Sequence, residues 1–183
     1  MKMRPHKQRI KPYVIHILAV PALTRDVFDL PPENTAVILC TDRTNRYIRE
    51  LPEENTLTVS FPDMENRNYP GAFNENHARR IITFLESLSD DVSDVYICCS
   101  QGISRSPAVA AALLRSSGRS DAPVWENPFY TPNVLVYFRL CRESGVFITR
   151  FSVWKRTVCN RKAYRKAQKN GGSVKYERWE IIE

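Results

Sequence analysis

The sequence predicts an α/β fold in which helices flank a central, largely parallel β-sheet. Short apolar runs of strand length alternate along the chain with longer amphipathic segments, an order that is typical of α/β domains. The run 36–40 contains no polar side chain, as expected for a strand that is covered on both faces of a parallel sheet. A chain of 183 residues is long enough for one such domain with its own core.

The individual elements are predicted from hydrophobic spacing and from turn residues. Apolar, partly β-branched runs predict strands over residues 13–20, 36–40, 56–61 and 92–99. Helical spacing and helix-start residues predict helices over residues 24–30, 45–51, 74–88, 107–117, 131–141 and 152–168. Thr131 is the expected N-cap of its helix and Pro132 its first residue, whereas residues 121–130 are expected to be irregular. Residues 173–183 are expected as a short strand or a loose end.

The positive charge of the chain is concentrated at its end. Residues 150–183 hold ten Lys and Arg against three Asp and Glu, whereas residues 1–149 hold seventeen of each. We therefore predict one folded domain over 1–149 and a basic C-terminal helix or tail over 150–183. The tail is interpreted either as a solvated helix face or as a binding surface for nucleic acid, an acidic membrane surface or an acidic partner. It contains no recognised nucleic-acid motif.

Composition also bears on the cellular compartment in which the protein is expected. No apolar run approaches the roughly 20 residues that span a bilayer, so no transmembrane segment is expected. The first residues of the chain are basic and the next ones are apolar, an order that resembles a signal peptide. His16 interrupts the apolar run, however, and the predicted fold needs that run as a strand. The five cysteines are odd in number and lack the spacing of a disulfide framework or a zinc site. Free thiols suit a reducing compartment, so a cytoplasmic location is expected.

The strongest signal of chemistry is the segment 99–106, Cys-Ser-Gln-Gly-Ile-Ser-Arg-Ser, which joins a predicted buried strand to a helix N-terminus. Successive backbone N–H groups in such a loop form a nest for an anion, and the helix adds its positive end. Gly102 permits a backbone conformation that side chains resist. A sulfur at Cys99 is therefore predicted to be stabilised as a thiolate, and Arg105 is predicted to bind two phosphate oxygens.

Three segments together resemble the cysteine-based protein tyrosine phosphatases, and most of all the small dual-specificity phosphatases. Residues 99–106 resemble the Cys-x5-Arg-Ser/Thr loop of that family. Phe-Pro-Asp at 61–63 resembles its Trp-Pro-Asp acid loop, and Thr-Pro-Asn at 131–133 resembles its Ser-Pro-Asn helix start. The resemblance covers roughly residues 12–145 and implies a tyrosine-phosphatase-like fold. The basic tail lies outside it.

The resemblance implies hydrolysis of phosphate monoesters on a phosphorylated protein or peptide, with phosphotyrosine first and phosphoserine or phosphothreonine second. Cys99 would attack phosphorus, Asp63 would protonate the leaving oxygen and then activate water, and Ser106 would stabilise the departing thiolate. Asn133 would buttress the loop from outside it. The expected substrate-binding residues are Ser100, Gln101, Gly102, Ile103, Ser104 and Arg105. This mechanism needs neither a metal nor an organic cofactor.

The sequence departs from the family at the residue before the nucleophile, where Cys98 replaces the usual His. Cys98 is interpreted as a core residue, because strand alternation turns its side chain away from that of Cys99. Asp63 has the alternative interpretation of a turn residue, with Glu65 as the fallback acid. Strand order further suggests that Cys40 could form a protective disulfide with Cys99 under oxidation.

Two other classes of function remain open at this level. A phosphate-binding module without turnover would keep the loop and Arg105, whereas an RNA- or nucleotide-end phosphatase would use the basic tail. The loop interior, residues 100–104, contains no Lys or His, which makes highly charged phosphoinositide headgroups less favoured substrates.

Overall fold

The structure is a computed structural model of the chain, and it describes residues 10–20, 34–41, 53–169 and 180–182. The short helices predicted over 24–30 and 45–51 lie outside these described residues. All four predicted strands fall within them, at least in part. One short helix was not predicted, and it lies within residues 121–130, which were expected to be irregular.

The described strands form one mixed sheet. They are β1 (Val14–Ala19), β2 (Thr35–Thr41), β3 (Thr56–Ser60), β4 (Asp94–Cys99) and β5 (Glu180–Ile182). Their order across the sheet is β3-β2-β4-β1-β5, with β1 to β4 parallel and β5 antiparallel to β1. The prediction of an α/β fold with a largely parallel sheet is therefore confirmed. In a parallel sheet the carboxyl ends of the strands share one edge, which is where ligands bind.

The helices depart from the predicted ranges mainly at their N-termini. They are α1 (Glu75–Ser87), α2 (Arg105–Ser116), α3 (Ala122–Glu126), α4 (Val134–Glu143) and α5 (Arg150–Lys169). The start of α2 lies two residues before the predicted one, which places Arg105 in its first turn. The predicted N-cap Thr131 is wrong, because Asn133 caps α4 by accepting the Val136 N–H at 3.1 Å.

Asn74 begins α1 through a reciprocal cap. Its side-chain oxygen accepts the backbone N–H groups of Asn76 and His77, at 3.0 and 3.2 Å. His77 Nδ1 in turn accepts the backbone N–H of Asn74 at 3.2 Å. Two N–H groups that a helix start would leave unsatisfied are thus bonded, and the same arrangement holds the chain just after the predicted acid loop.

The main core lies between one face of the sheet and the helices α1, α2 and α4. The side chains of Ile15, Ile38, Ile97 and Cys99 belong to this core. The opposite face carries a smaller buried cluster made of Leu18, Val37, Leu39, Tyr96 and Cys98. Cys98 and Cys99 therefore face opposite sides of the sheet, as strand alternation requires.

A buried polar cluster joins α5 to α3 and α4. The Asp121 carboxylate accepts bonds from Arg156 Nε at 2.5 Å and from Arg156 Nη2 at 3.0 Å. Tyr137 Oη donates to the same carboxylate at 2.5 Å. Val153 and Asn160 are the buried residues of α5. The basic helix is thus packed against the domain along one side.

Asn160 links α5 to the segment that precedes α4. Its side-chain amide donates to the carbonyl oxygens of Asn127 at 3.2 Å and Tyr130 at 2.8 Å. The next residue, Thr131, donates its N–H to the carbonyl of Ile103 at 2.9 Å. In the described part of the chain, no helix is long and apolar enough to span a membrane.

One edge of the sheet is partly closed by a side chain. β3 is the edge strand on this side, and Arg80 of α1 donates from Nη2 to the Thr58 carbonyl at 3.0 Å. A carbonyl that points away from the sheet would otherwise be available to another strand.

Candidate active site

Cys99 is the last residue of the central strand β4, and Arg105 is the first residue of α2. The five residues between them form a tight loop at the carboxyl edge of the parallel sheet. Cys99 is buried, and its Sγ accepts the N–H of Gly102 at 3.2 Å. The hydroxyl of Ser106, itself fully buried, lies 3.1 Å from the same sulfur. The sulfur is thus contacted by one backbone N–H of the loop and by one hydroxyl of the helix start.

Gly102 is required by both conformation and space. Its φ is +71°, in the left-handed region that side chains rarely adopt. A Cβ at this position would lie 3.0 Å from the backbone of Leu18 and of Ala19, at the end of β1. The loop therefore rests directly on the neighbouring strand, and this close approach holds the Gly102 N–H on the sulfur.

Arg105 is held between the loop and the end of β3. Its Nη1 donates to the carbonyl of Phe61 at 3.0 Å, and its Nη2 donates to Ser100 Oγ at 2.8 Å. Its side chain is 5% exposed, and its Nε lies 4.0 Å from Asp63 Oδ2. Two bonds at opposite corners fix the plane of the guanidinium, so its orientation does not depend on a ligand.

Asp63 lies over the loop although 41 residues separate it from Ser104. Its Oδ1 accepts two bonds of 2.8 Å, one from Ser104 Oγ and one from Asn133 Nδ2. Its side chain is 38% exposed, so the carboxylate is reachable from solvent. The buried Phe61 anchors this segment through an edge contact with the ring of Phe73, whose centroid is 4.7 Å away.

Asn133 contacts the acid, the loop and the helix α4 at once. Besides capping α4 and donating to Asp63, it donates its backbone N–H to the Ser104 carbonyl at 3.2 Å. It is 1% exposed. The residue expected to buttress the loop is therefore placed where it can do so.

Glu65, the fallback acid, has a different contact. Its Oε1 accepts the N–H of Val134, the first residue of α4, at 3.0 Å. A carboxylate at a helix N-terminus is stabilised there by the helix dipole. Glu65 thus secures the acid loop to α4, whereas the bonds to Ser104 and Asn133 belong to Asp63.

Cys40 lies directly beside Cys99 in the sheet. The two residues are partners in the register of β2 and β4, and both belong to the main core. Burial, followed by the neighbouring Cys99, raises the pKa of the Cys40 thiol, and burial raises that of Cys98 as well. Both thiols are therefore neutral near pH 7. Cys98, at the position of the family's His, points into the opposite cluster.

The sequence predicts the members of the site but not all of their contacts. Ser104 is expected only as part of the loop, yet its hydroxyl bonds Asp63. Phe61 is expected only as the Trp substitute, yet its carbonyl orients Arg105. Within the described residues, no three His, Cys, Asp or Glu side chains lie together as a metal site would need.

Comparison with solved structures identifies the fold. The chain matches the crystal structure of DUSP15 with a TM-score of 0.51 and 15% sequence identity, over 87% of this chain and 95% of that one. It also matches the crystal structure of PTPMT1 in complex with PI(5)P, with a TM-score of 0.41 and 14% identity, over 90% and 98% of the two chains. No protein-family model and no curated protein matches the chain. The DUSP15 match shows that the chain has the fold of the cysteine-based dual-specificity phosphatases, as the motifs predicted.

Proposed function

We propose that the protein hydrolyses phosphate monoesters through a phosphocysteine intermediate. One observation carries this proposal: the Gly102 N–H bonds the Cys99 sulfur at the base of a strand-to-helix loop, and Arg105 and Asp63 are bonded to Ser100 and Ser104 of the same loop. A tetrahedral anion over the sulfur would meet the backbone N–H groups of the loop, the positive end of α2 and a guanidinium.

In the first step the Cys99 thiolate attacks phosphorus, an S–P bond forms and the ester P–O bond breaks. The leaving oxygen takes a proton from Asp63, so it departs as a neutral hydroxyl. Negative charge on the equatorial phosphoryl oxygens is stabilised by the loop N–H groups and by Arg105.

In the second step a water molecule attacks the phosphocysteine. The Asp63 carboxylate accepts a proton from this water, and the S–P bond breaks to release phosphate. Ser106 Oγ, at 3.1 Å from the sulfur, donates a hydrogen bond to the departing thiolate. Each residue thus has one contact that suits its proposed part in the reaction.

The proposed substrate is a phosphorylated protein or peptide, with phosphotyrosine first and phosphoserine or phosphothreonine second. The loop between Cys99 and Arg105 carries only uncharged side chains, and Ser100 and Gln101 are exposed. A site with a single guanidinium suits one phosphate group on an uncharged leaving group better than several clustered phosphates. The free thiols favour a reducing location such as the cytoplasm.

A para-nitrophenyl phosphate assay tests the proposal. We expect wild-type turnover, background rates for Cys99→Ser, and a kcat lowered by about 100-fold or more for Asp63→Asn. Cys98→Ser is the matched control, because it changes the adjacent cysteine on the other face of the sheet and should retain most activity. Acid quenching during turnover should trap a phosphoryl group on the peptide that contains Cys99.

Equal rates for wild type and Cys99→Ser would contradict the proposal. Tight vanadate binding without turnover would instead support the rival function, a phosphate-binding module. That rival is favoured by one observation, the absence of the family's His from the position of Cys98.

A further inference from the structure

The helix α5 carries a strong and one-sided positive charge. Its 20 residues include eight Lys and Arg and no Asp or Glu. Among the residues that the structure describes, only Arg156 of these eight forms an ion pair, with Asp121. The other basic side chains of α5 are exposed. They are Arg150, Lys155, Arg161, Lys162, Arg165, Lys166 and Lys169.

These charges share one face of α5 with aromatic side chains. At 100° per residue, Phe151, Lys162 and Lys169 lie on the side opposite Val153 and Asn160, the two buried residues of the helix. We call this side the outer face of α5. It begins with Phe151 and Trp154 in the first two turns and continues with the basic side chains.

The aromatic end is unusually open to solvent. Phe147, just before the helix, is 87% exposed, Phe151 is 60% exposed and Trp154 is 58% exposed. Single exposed aromatics are ordinary, but three within the eight residues 147–154, next to a basic stripe, indicate a surface that another molecule covers. A basic stripe needs an anionic partner, and the aromatic end needs an apolar or interfacial one.

The aromatic and cationic side chains at the start of α5 favour a bilayer surface as the partner. Phe151 stacks on Trp154, with centroids 5.6 Å apart and planes 20° apart. Lys155 Nζ lies 4.8 Å from the centroid of Phe151. Aromatic side chains beside cationic ones are typical of a helix that lies in a bilayer interface, and Phe151, Trp154 and Lys155 form such a group.

We propose that the outer face of α5 docks onto the surface of an anionic lipid bilayer. Phe147, Phe151 and Trp154 enter the headgroup region, and the basic side chains contact lipid phosphate and carboxylate groups. Asn160 and Arg156 hold α5 to the domain from the other side, so docking orients the whole domain on the surface. This proposal does not depend on the proposed catalytic function.

Vesicle cosedimentation with the full chain tests the proposal. We expect binding to vesicles that contain phosphatidylserine to exceed binding to pure phosphatidylcholine by about ten-fold or more. Binding should weaken as salt is raised, because the screening length falls from about 10 Å at 0.1 M to about 3 Å at 1 M.

The double variant Lys162→Glu/Arg165→Glu should weaken binding to these vesicles by about ten-fold or more. It places Glu four residues before Lys166 and Lys169, and such pairs support a helix, so folding should be retained. The matched control is Arg79→Glu/Arg142→Glu, which makes the same change in net charge at exposed positions outside α5. An equal loss in the control would show that net charge alone drives binding and would overturn the proposal.

Fluorescence tests the aromatic end. Quenching of tryptophan by brominated phosphatidylserine vesicles should occur in the wild type and be largely lost in Trp154→Phe, which should still bind. Phe147→Ser/Phe151→Ser should weaken binding without altering the circular dichroism spectrum. Absence of binding to anionic vesicles at low salt would overturn the proposal, as would tighter binding of single-stranded RNA that displaces the vesicles.

Discussion

At the scale of single residues, the two oxygens of Asp63 have different surroundings. Both donors, Ser104 Oγ and Asn133 Nδ2, bond Oδ1, whereas Oδ2 lies 4.0 Å from Arg105 Nε. An oxygen that already accepts two hydrogen bonds is a poor place for a proton. We therefore expect Oδ2 to carry the proton that passes to the leaving group.

Removing one donor should disturb this arrangement. Ser104→Ala is expected to lower kcat by about ten-fold, because a misplaced acid transfers its proton less effectively. In an Asp63→Asn background the same change should have little further effect, since the group that Ser104 positions is already lost. A full ten-fold loss in that background would contradict a role through Asp63.

Asn133 was expected as a buttress from the resemblance alone, and its cap on α4 was not predicted, because the sequence pattern assigned the N-cap to Thr131. The bond between Ser104 and Asp63 could not be predicted in this way. It depends on how two loops 41 residues apart are brought together by β3, β4 and the packing of Phe61, and no local pattern encodes that distance. The hydrogen bond from Arg105 to the Phe61 carbonyl could not be predicted for the same reason.

At the scale of elements, adjacent strands bring two thiols together. Parallel strands lie about 4.8 Å apart, and a disulfide needs Cα atoms about 4.4–6.8 Å apart. The register pairs Cys40 of β2 with Cys99 of β4. The strand order that the sequence suggested for these cysteines is therefore the observed one, and the disulfide stays a prediction.

Mild peroxide should convert the Cys99 thiolate to a sulfenic acid, with peroxide reduced to water. The Cys40 thiol would then attack that sulfur, forming the disulfide and releasing water. Wild-type activity should return with dithiothreitol, whereas Cys40→Ser should lose activity irreversibly. Peptide mapping checks the product, and a wild-type Cys99 found mainly as sulfinic acid would exclude the bridge.

The cap of α1 makes one element sensitive to pH. Burial, and then Arg80, lower the pKa of His77 below its usual value of 6.5. The unfolded chain therefore binds the proton more readily. The stabilisation is present above the unfolded-state pKa of about 6.5 and is lost as pH falls below that value through the lower folded-state pKa. Protonation also removes the Nδ1 acceptor of the Asn74 N–H.

Urea unfolding of wild type and His77→Gln should reveal this dependence. Gln can keep the reciprocal cap without titrating, so the variant should lose less stability between about pH 7.5 and pH 5.5. Other groups titrate equally in both proteins and cancel in the comparison. Parallel pH curves for the two proteins would show that His77 contributes nothing to the pH dependence.

At the scale of the whole molecule, α5 packs as part of the folded domain. From the sequence, its charge was interpreted as either a solvated face or a binding surface, and the structure shows one packed side and one exposed side. The identity of Asn160 explains why the packed side of α5 could not be predicted from the sequence. A single polar residue among basic ones gives no hydrophobic period, although its amide bonds two carbonyls of the segment before α4.

Breaking the cluster around Asp121 should destabilise the whole fold. Arg156→Ala leaves a buried carboxylate with Tyr137 alone, and we expect the free energy of unfolding to fall by about 2–4 kcal/mol. Arg161→Ala, on the exposed side of the same helix, should change it by less than about 0.5 kcal/mol. Chemical denaturation measures both, and similar small losses would mean that α5 contributes little to the domain.

The hydrogen bond from Arg80 to the Thr58 carbonyl bears on the aggregation of the protein at high concentration. An outermost strand with open carbonyls is a template on which a second chain can add its own strand and start a growing aggregate. The Arg80 guanidinium occupies one of those acceptors and places a positive charge at the exposed edge of β3. Two such edges therefore repel each other. We therefore expect Arg80 to disfavour edge-to-edge association of two molecules.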